Sequence, residues 1–152
     1  MKSVSSSSNP LIKEIKSLKL RKHRESKGLF FVEGMRIVEE ALTSGAKIQE
    51  IVISEKAAED EKMAKLVSTA NSRGYEILVV PESLFKDISE TKNPQGILAV
   101  VIMNIHGLKD IIEESVFKES VKRSSKYFVI LDAIQDPGNM GTIIRTADAA
   151  GF

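Results

Sequence analysis

An uninterrupted apolar run, GILAVVIM at residues 96–103, constrains the fold more than any other feature of the sequence. Such a run is typical of a strand buried on both faces, in a sheet covered by helices on each side. Shorter strand-like runs at 29–32, 48–53 and 75–80 are separated by segments with helical spacing. Strands and helices alternating in this way predict an α/β sandwich over residues 9–103.

The helical segments begin and end at recognisable residues. Asn9-Pro10 is a typical helix start, because Asn can cap free amides and Pro in the first position loses no hydrogen bond. Residues 37–45 and 57–72 have helical patterns that end at glycines, and Pro81 opens a short helix.

The two ends of the chain differ from this central region. Residues 1–8 are serine-rich and predict a disordered tail, and the Lys/Glu/Ser-rich stretch at 104–125 predicts a linker helix. Residues 126–152 predict a buried strand at 127–131, a turn-rich loop and a helix. A lone strand and helix cannot bury both apolar faces, so we expect this region to be the incomplete start of a second domain.

Charge is unevenly distributed along the sequence. The net charge of the chain is +1, but residues 1–36 hold nine Lys/Arg against three Glu, and the remaining residues hold thirteen basic against eighteen acidic side chains. A basic head on an acidic body can orient a protein toward phosphate groups. An ordinary solvated helix surface explains the same pattern, so charge alone leaves both interpretations open.

Composition excludes several classes of function. The chain has no cysteine, which excludes disulfides and thiolate metal sites. His23 and His106 are isolated, without metal-ligand spacing to carboxylates, and predict no metal site. No apolar run is long enough to cross a bilayer, and the N-terminus lacks a secretory signal. We therefore expect a soluble cytoplasmic protein.

The segment with most chemical information is LDAIQDPGNMGTIIRTADAAG at residues 131–151. Its turn at 136–139 places unpaired backbone amides at a helix N-terminus, which is a ready site for an anion such as an RNA phosphate. Asn139 is most simply the N-cap of this helix, with direct RNA contact as the alternative. Arg145 lies among apolar residues, where it is either a surface cation or a residue that points into a cleft.

This segment resembles the first motif of the SpoU (TrmH-like) branch of the SPOUT methyltransferases, in which an Asp-Pro-Xaa-Asn-Xaa-Gly turn precedes a helical arginine. The matching residues are Asp136, Pro137, Asn139, Gly141 and Arg145. The resemblance implies ribose 2′-O-methylation of RNA, ribosomal rather than transfer RNA, with S-adenosylmethionine as cofactor. Arg145 would be catalytic, and the cofactor pocket would lie beyond residue 152.

The N-terminal region is similar to the substrate-binding domain of the same family. The segments that match are FVEG at 31–34 and NPQG at 93–96, together with the lysine-rich helix that starts at Asn9. The resemblance implies a three-layer α/β/α sandwich of ribosomal-protein-like, RNA-binding type. A linker and the first strand and helix of an incomplete SPOUT trefoil-knot domain would follow.

From these patterns we expect RNA to bind a set of polar and basic residues, with Gln95 reading an unpaired base. The set is Asn9, Lys13, Arg21, Lys22, Arg24, Arg36, Gln95 and Asn139. The chain itself is expected to bind RNA but to be inactive, and the full-length protein is expected to be a homodimer. The alternatives are a stand-alone RNA-binding protein of ribosomal-protein type and a small-ligand α/β protein.

Overall fold

The chain divides into two compact units, Met1–Ile105 and His106–Phe152. The computed structural model describes residues 1–105, 107, 109–110 and 128–152. Most of the linker predicted at 104–125 lies outside the described residues. Within those residues, no helix is both long and apolar enough to span a bilayer.

The first unit contains five strands and six helices within its described residues. The strands are β1 (Lys2–Ser3), β2 (Leu29–Glu33), β3 (Ile48–Ser54), β4 (Ile77–Val80) and β5 (Ile97–Ile102). The helices are α1 (Pro10–Ser17), α2 (Arg21–Lys27), α3 (Met35–Thr43), α4 (Glu55–Ala58), α5 (Glu61–Ser72) and α6 (Glu82–Ile88).

The strands form one mixed sheet in the order β1-β4-β3-β5-β2. β3 is parallel to β4, and β4 is parallel to β1, whereas β5 is antiparallel to both of its neighbours. Residues 97–101 of β5 are all buried between β3 and β2. The prediction that the apolar run forms a central strand is therefore confirmed.

Helices pack against the sheet through two clusters of buried side chains. Because neighbouring strand residues point to opposite faces, Val52 belongs to one cluster and Ile51 and Ile53 to the other. The first cluster includes residues of α1, its C-cap residue and residues of α6: Ile12, Ile15, Leu18, Leu84, Phe85 and Ile88. The second includes residues of α3 and α5: Val38, Leu42, Met63, Leu66 and Ala70. The mixed α/β class predicted from the sequence is confirmed.

The N-terminal residues differ from the predicted disordered tail. Lys2 and Ser3 pair in parallel with Leu78 and Val79, and the Val4 side chain is buried in the first core cluster. The outer edge of β4 offers free backbone groups, and pairing with them satisfies the hydrogen bonds of both segments. Part of the serine-rich segment is therefore the edge strand of the sheet.

The pattern at 57–72 predicts one helix, but the structure has two. α4 ends at Ala58, and Asp60 starts α5 by accepting hydrogen bonds at Oδ1 from the backbone N–H groups of Lys62 and Met63. An Asp side chain in this position replaces the missing partners of a new helix N-terminus. The break follows from this cap, which the apolar spacing does not reveal.

The described part of the second unit is dominated by a thirteen-residue helix, α7 (Pro137–Ala149). The predicted strand at 127–131 is wrong over its described part, since residues 128–131 form no strand and Ile130 is 91% exposed. Tyr127 lies outside the described residues. No strand within the described residues of this unit is available to pair with the segment.

Candidate nucleic-acid interface

The two short motifs of the first unit, FVEG and NPQG, meet at one end of the β2–β5 pair. Glu33, the last residue of β2, is paired with Leu98, the second residue of β5. The backbone N–H of Gly34 donates to the carbonyl oxygen of Ile97 at 3.0 Å. Gly34 has a φ of +106°, which L side chains rarely adopt, so glycine allows the chain to turn here directly into α3.

Gln95 joins the second motif to the start of α3. Its Oε1 accepts a hydrogen bond from the backbone N–H of Met35 at 2.9 Å. The N-cap residue Gly34 has no side chain with which to make this bond, so Gln95 supplies the cap from a distant part of the sequence. A Cβ at Gly34 would lie 3.2 Å from Oε1, which is a tight contact.

Glu33 fixes the start of the loop that contains Gln95. Its carboxylate accepts hydrogen bonds from the Ser89 and Thr91 hydroxyls, both at 2.6 Å, and from the backbone N–H of Glu90 at 3.1 Å. Burial would raise the pKa of Glu33, but these hydrogen bonds outweigh it and hold the pKa below its ordinary value. Glu33 is therefore ionised at neutral pH and anchors this loop.

A cavity of about 320 Å³ lies between this loop and the first turn of α3. Arg36 and Gln95 both line it, so the structure brings these two predicted RNA-binding residues together. Both are exposed, and Arg36 makes no ion pair with any residue the structure describes. The remaining lining residues are Glu33, Gly34, Ile37, Thr91 and Asn93.

The basic helix α2 contains three further predicted residues, which differ in their contacts. Arg21 donates from Nε to Glu25 at 2.7 Å, and this hydrogen bond raises the pKa of Arg21 above its ordinary value. Lys22 is exposed and makes no ion pair within the described part of the chain. Arg24 donates from Nη1 to the carbonyl oxygens of residues 18 and 19, at 2.9 and 3.0 Å. Arg24 thus satisfies carbonyl groups at the end of α1, a structural role that the sequence did not suggest.

Lys19 connects this basic region to the loop beside the cavity. Its Nζ donates to the carbonyl oxygens of Asp87 and Ser89, at 2.9 and 2.8 Å. Ser89 in turn donates to Glu33, which lines the cavity. The junction between α1 and α2 is therefore linked by hydrogen bonds to the loop that contains Gln95.

Lys13 and Asn9 lie elsewhere. Lys13 is exposed and lines a groove of about 810 Å³ between α1 and α2, together with His23 and Lys27. Asn9 caps α1, with its Oδ1 accepting from the backbone N–H of Leu11 at 2.9 Å. The predicted helix start at Asn9 is confirmed, and the cap occupies the side-chain oxygen.

The helix start predicted in the second unit is wrong by three residues. Asp136 is the N-cap of α7, and its Oδ1 accepts from the backbone N–H of Asn139 at 2.7 Å. Pro137 occupies the first position at no cost in hydrogen bonds, so the helix begins before Asn139. Asn139 is consequently an exposed residue of the first turn, while Asp136 takes the capping role expected of a turn aspartate.

Arg145 is exposed on α7, and its side chain folds back along the helix. Its Nη2 donates to the hydroxyl of Thr142 at 3.3 Å, and a Cβ placed at Gly141 would lie 3.2 Å from Nη1. Because Gly141 has no side chain, the Arg145 guanidinium has room to lie one helical turn before the Cα of Arg145. Within the described residues, the space beside Gly141 is occupied by this side chain.

Sequence reasoning missed several residues that organise the interface. Ser89, Thr91 and Lys19 act through contacts with partners distant in sequence, which no local pattern indicates. The motif FVEG contained Glu33 but gave no sign of its partners. Within the described residues, no cluster of three or more potential metal ligands occurs.

The mixed sheet and the joined motifs define a class of substrate-binding domain. Residues 9–99 match the family model described as the MRM3-like substrate binding domain. The chain belongs to this family, and the relatives and solved structures that it resembles are SpoU/TrmH RNA methyltransferases.

Known relatives agree with this assignment. The chain is 32% identical over 152 residues to the 23S rRNA (guanosine(2553)-2′-O)-methyltransferase RlmP of Bacillus subtilis, covering 100% of this chain and 52% of that protein. It is 31% identical over 134 residues to the mitochondrial rRNA methyltransferase 3 of Homo sapiens, covering 88% of this chain and 30% of that protein. The chain spans about half the length of RlmP, and less of the human protein.

Solved structures show the same relationship. The crystal structure of an rRNA methyltransferase from Sinorhizobium meliloti has a TM-score of 0.72 and 33% identity, covering 99% of this chain and 52% of that one. An AdoMet-bound form of that enzyme matches with the same TM-score and 34% identity, covering 99% of this chain and 51% of that one.

The described residues of the second unit do not by themselves enclose that cofactor. None of residues 128–152 is buried, so these residues supply no enclosed wall for an adenosine group.

Proposed function

We propose that this chain comprises the RNA-binding domain and the first catalytic motif of an S-adenosylmethionine-dependent ribose 2′-O-methyltransferase acting on ribosomal RNA, 23S rRNA in particular. In this proposal the first unit is a three-layer α/β/α sandwich of ribosomal-protein-like type. The segment at 126–152 opens a SPOUT trefoil-knot domain. The family match over residues 9–99 and the names of the relatives support the substrate class.

The observation on which the RNA-binding proposal depends is the cavity lined by Arg36 and Gln95. Both side chains are exposed, and the cavity floor is fixed by Glu33 and its hydrogen bonds to the 89–91 loop. Arg21, Lys22 and Lys13 are further exposed cations of the first unit. Phosphate contacts from these cations would set affinity and position, and Gln95 would contact a base.

In the second unit we propose that Arg145 acts on the ribose. The 2′-hydroxyl is a poor nucleophile until its proton leaves, and S-adenosylmethionine supplies the electrophilic methyl group when bound. A guanidinium, with a pKa above about 12, is a poor base. Arg145 therefore orients the hydroxyl and an adjacent phosphate, and stabilises the negative charge that develops on the 2′-oxygen as its proton passes to water. The 2′-oxygen would take the methyl group as the sulfur–methyl bond of the bound cofactor breaks, and S-adenosylhomocysteine would leave. The Asn139 N–H at the start of α7 is bonded to Asp136, so the exposed Asn139 side chain would contact a neighbouring phosphate.

We further expect the chain of 152 residues to bind RNA without methylating it. Arg145 lies on an exposed helix, and none of residues 128–152 is buried in the wall of a pocket. A cytoplasmic location and a homodimer of the whole protein stay predictions.

RNA binding is tested by measuring the affinity of the chain for a 23S rRNA domain transcript over a series of salt concentrations. Arg36→Ala should weaken binding by about tenfold and lower the salt slope by about 0.7 to 0.9, the loss of one phosphate contact. Lys65→Ala is the matched control, because Lys65 is exposed on α5 and does not line the cavity. Equal losses in the two variants, or none in either, would contradict the assignment of the site.

A further inference from the structure

The cavity between α3 and the 89–96 loop is lined by more hydrogen-bond donors than free acceptors. This imbalance affects which base the cavity can accept. We propose that it holds one unpaired purine of the RNA and selects guanine over adenine. The inference rests on the proposed RNA-binding function and adds to it the identity of the base. A cavity of about 320 Å³ is at the small end of ligand pockets, of the size for one base and not for a folded nucleotide segment.

The orientation of the Gln95 amide is fixed by chemistry. The backbone N–H of Met35 can donate only to an acceptor, so the atom 2.9 Å from it must be the amide oxygen. Flipping the amide would place two donors against each other. No residue described in the structure accepts from the Gln95 Nε2, so its two N–H groups are free to donate to a bound base.

Other lining groups strengthen the donor character. Arg36 has five N–H donors and no acceptor. The acceptors of Glu33 are largely occupied: Oε1 receives two hydroxyl hydrogens, from Ser89 and Thr91, and Oε2 receives the Glu90 amide. Asn93, on the same loop, makes no hydrogen bond with the described residues and can turn either end of its amide to a ligand, so it does not discriminate.

A donor-rich lining distinguishes the two purines. Guanine presents two adjacent acceptors, O6 and N7, whereas adenine keeps N7 and replaces O6 with an amino donor. Opposite two donors, adenine leaves its amino group and one protein donor without partners, which is costly when both are desolvated. Ile37, an apolar lining residue that is 47% exposed, offers a surface for the flat face of the base.

The direct test uses four RNA hairpins with the loop sequence AAAXAAA, where X is guanosine, inosine, 7-deazaguanosine or adenosine. Guanosine and inosine, which share O6 and N7, should bind the chain about tenfold more tightly than adenosine. The 7-deaza analogue should lose part of this gain. If all four hairpins bind equally, or adenosine binds best, base selection is refuted while RNA binding stands. If none binds, the proposed function fails as well.

A single substitution should then change the preference. Gln95→Glu keeps an oxygen for the Met35 N–H but replaces the free donor with an acceptor. The new charge weakens binding of every hairpin, so the informative quantity is the guanosine-to-adenosine affinity ratio. This ratio should fall by about tenfold in Gln95→Glu and stay unchanged in the control Lys65→Ala. An unchanged ratio in Gln95→Glu would overturn the proposal.

Discussion

Arg145 shows how one residue depends on a neighbour that has no side chain. Its guanidinium lies over Gly141 and bonds to Thr142, so the position of the cation is set within one turn of α7. The spacing of the motif made Arg145 a candidate, but only the folded helix shows that Gly141 provides its space. A glycine inside a helix costs about 0.5 to 1 kcal/mol relative to alanine, which indicates a reason to retain it.

Two substitutions in the whole enzyme separate these roles. Arg145→Ala should reduce methyl transfer by about 100- to 1,000-fold through loss of charge stabilisation, with RNA affinity nearly unchanged. Gly141→Ala should displace the guanidinium and also reduce methyl transfer, yet slow amide hydrogen exchange across residues 137–149, since alanine favours the helix. If Gly141→Ala keeps full activity, the observed position of Arg145 is not the working one.

Helix α2 contains one cation that bonds to a neighbouring helix end and others that are exposed to solvent. Arg24 bonds to the end of α1, whereas Arg21 and Lys22 extend into solvent. The double variant Arg21→Glu/Lys22→Glu should weaken RNA binding and flatten its salt dependence. Loss of the exposed Arg21–Glu25 pair should lower the free energy of unfolding only slightly. Arg24→Ala should instead lower the free energy of unfolding by about 1 kcal/mol. Urea unfolding and RNA titration of both variants check this division, and unchanged affinity of the double variant would exclude α2 from the interface.

The loop at 89–91 is predicted to respond to pH through Glu33. The pKa of this carboxyl is lower in the folded protein than in the unfolded chain, so its stabilising contribution is present above the unfolded value. The contribution is lost as pH falls through the lower, folded pKa. Glu33→Gln should therefore be less stable than the wild type near neutral pH, and the difference should shrink as pH falls below about 4.5. Urea titrations at several pH values measure it, and a constant difference would contradict the role given to Glu33.

A helix or strand could be predicted when the residues that determine it lie within or next to it in the sequence. The apolar run of β5 and the Asn9-Pro10 cap lie within a few residues of the structure they determine, and both were found. The two-residue strand β1 exists only because β4 offers an edge, and the segment at 128–131 lacks such a partner within the described residues. At the candidate site, Arg36 and Gln95 were predicted, but the bond from Met35 to Gln95 joins distant segments and could not be.

In the whole molecule, the uneven distribution of charge along the sequence corresponds to particular helices. The basic head becomes α1, α2 and the start of α3, and hydrogen bonds through Lys19 and Glu33 connect the α1–α2 junction to the loop beside the cavity. We propose that the first unit binds RNA and that the second acts on the ribose. Each unit is expected to do its part through its own residues.

The central claim is that RNA binds the first unit at the cavity formed by the two motifs. Amide chemical shifts of the isotopically labelled chain, recorded while the guanosine hairpin is added, test it most directly. The account predicts the largest shifts at residues 34–37 and 91–96, smaller ones along α2, and none along the exposed face of α5. Shifts centred on α5, or an unchanged spectrum at 34–37 and 91–96 with RNA bound, would contradict it.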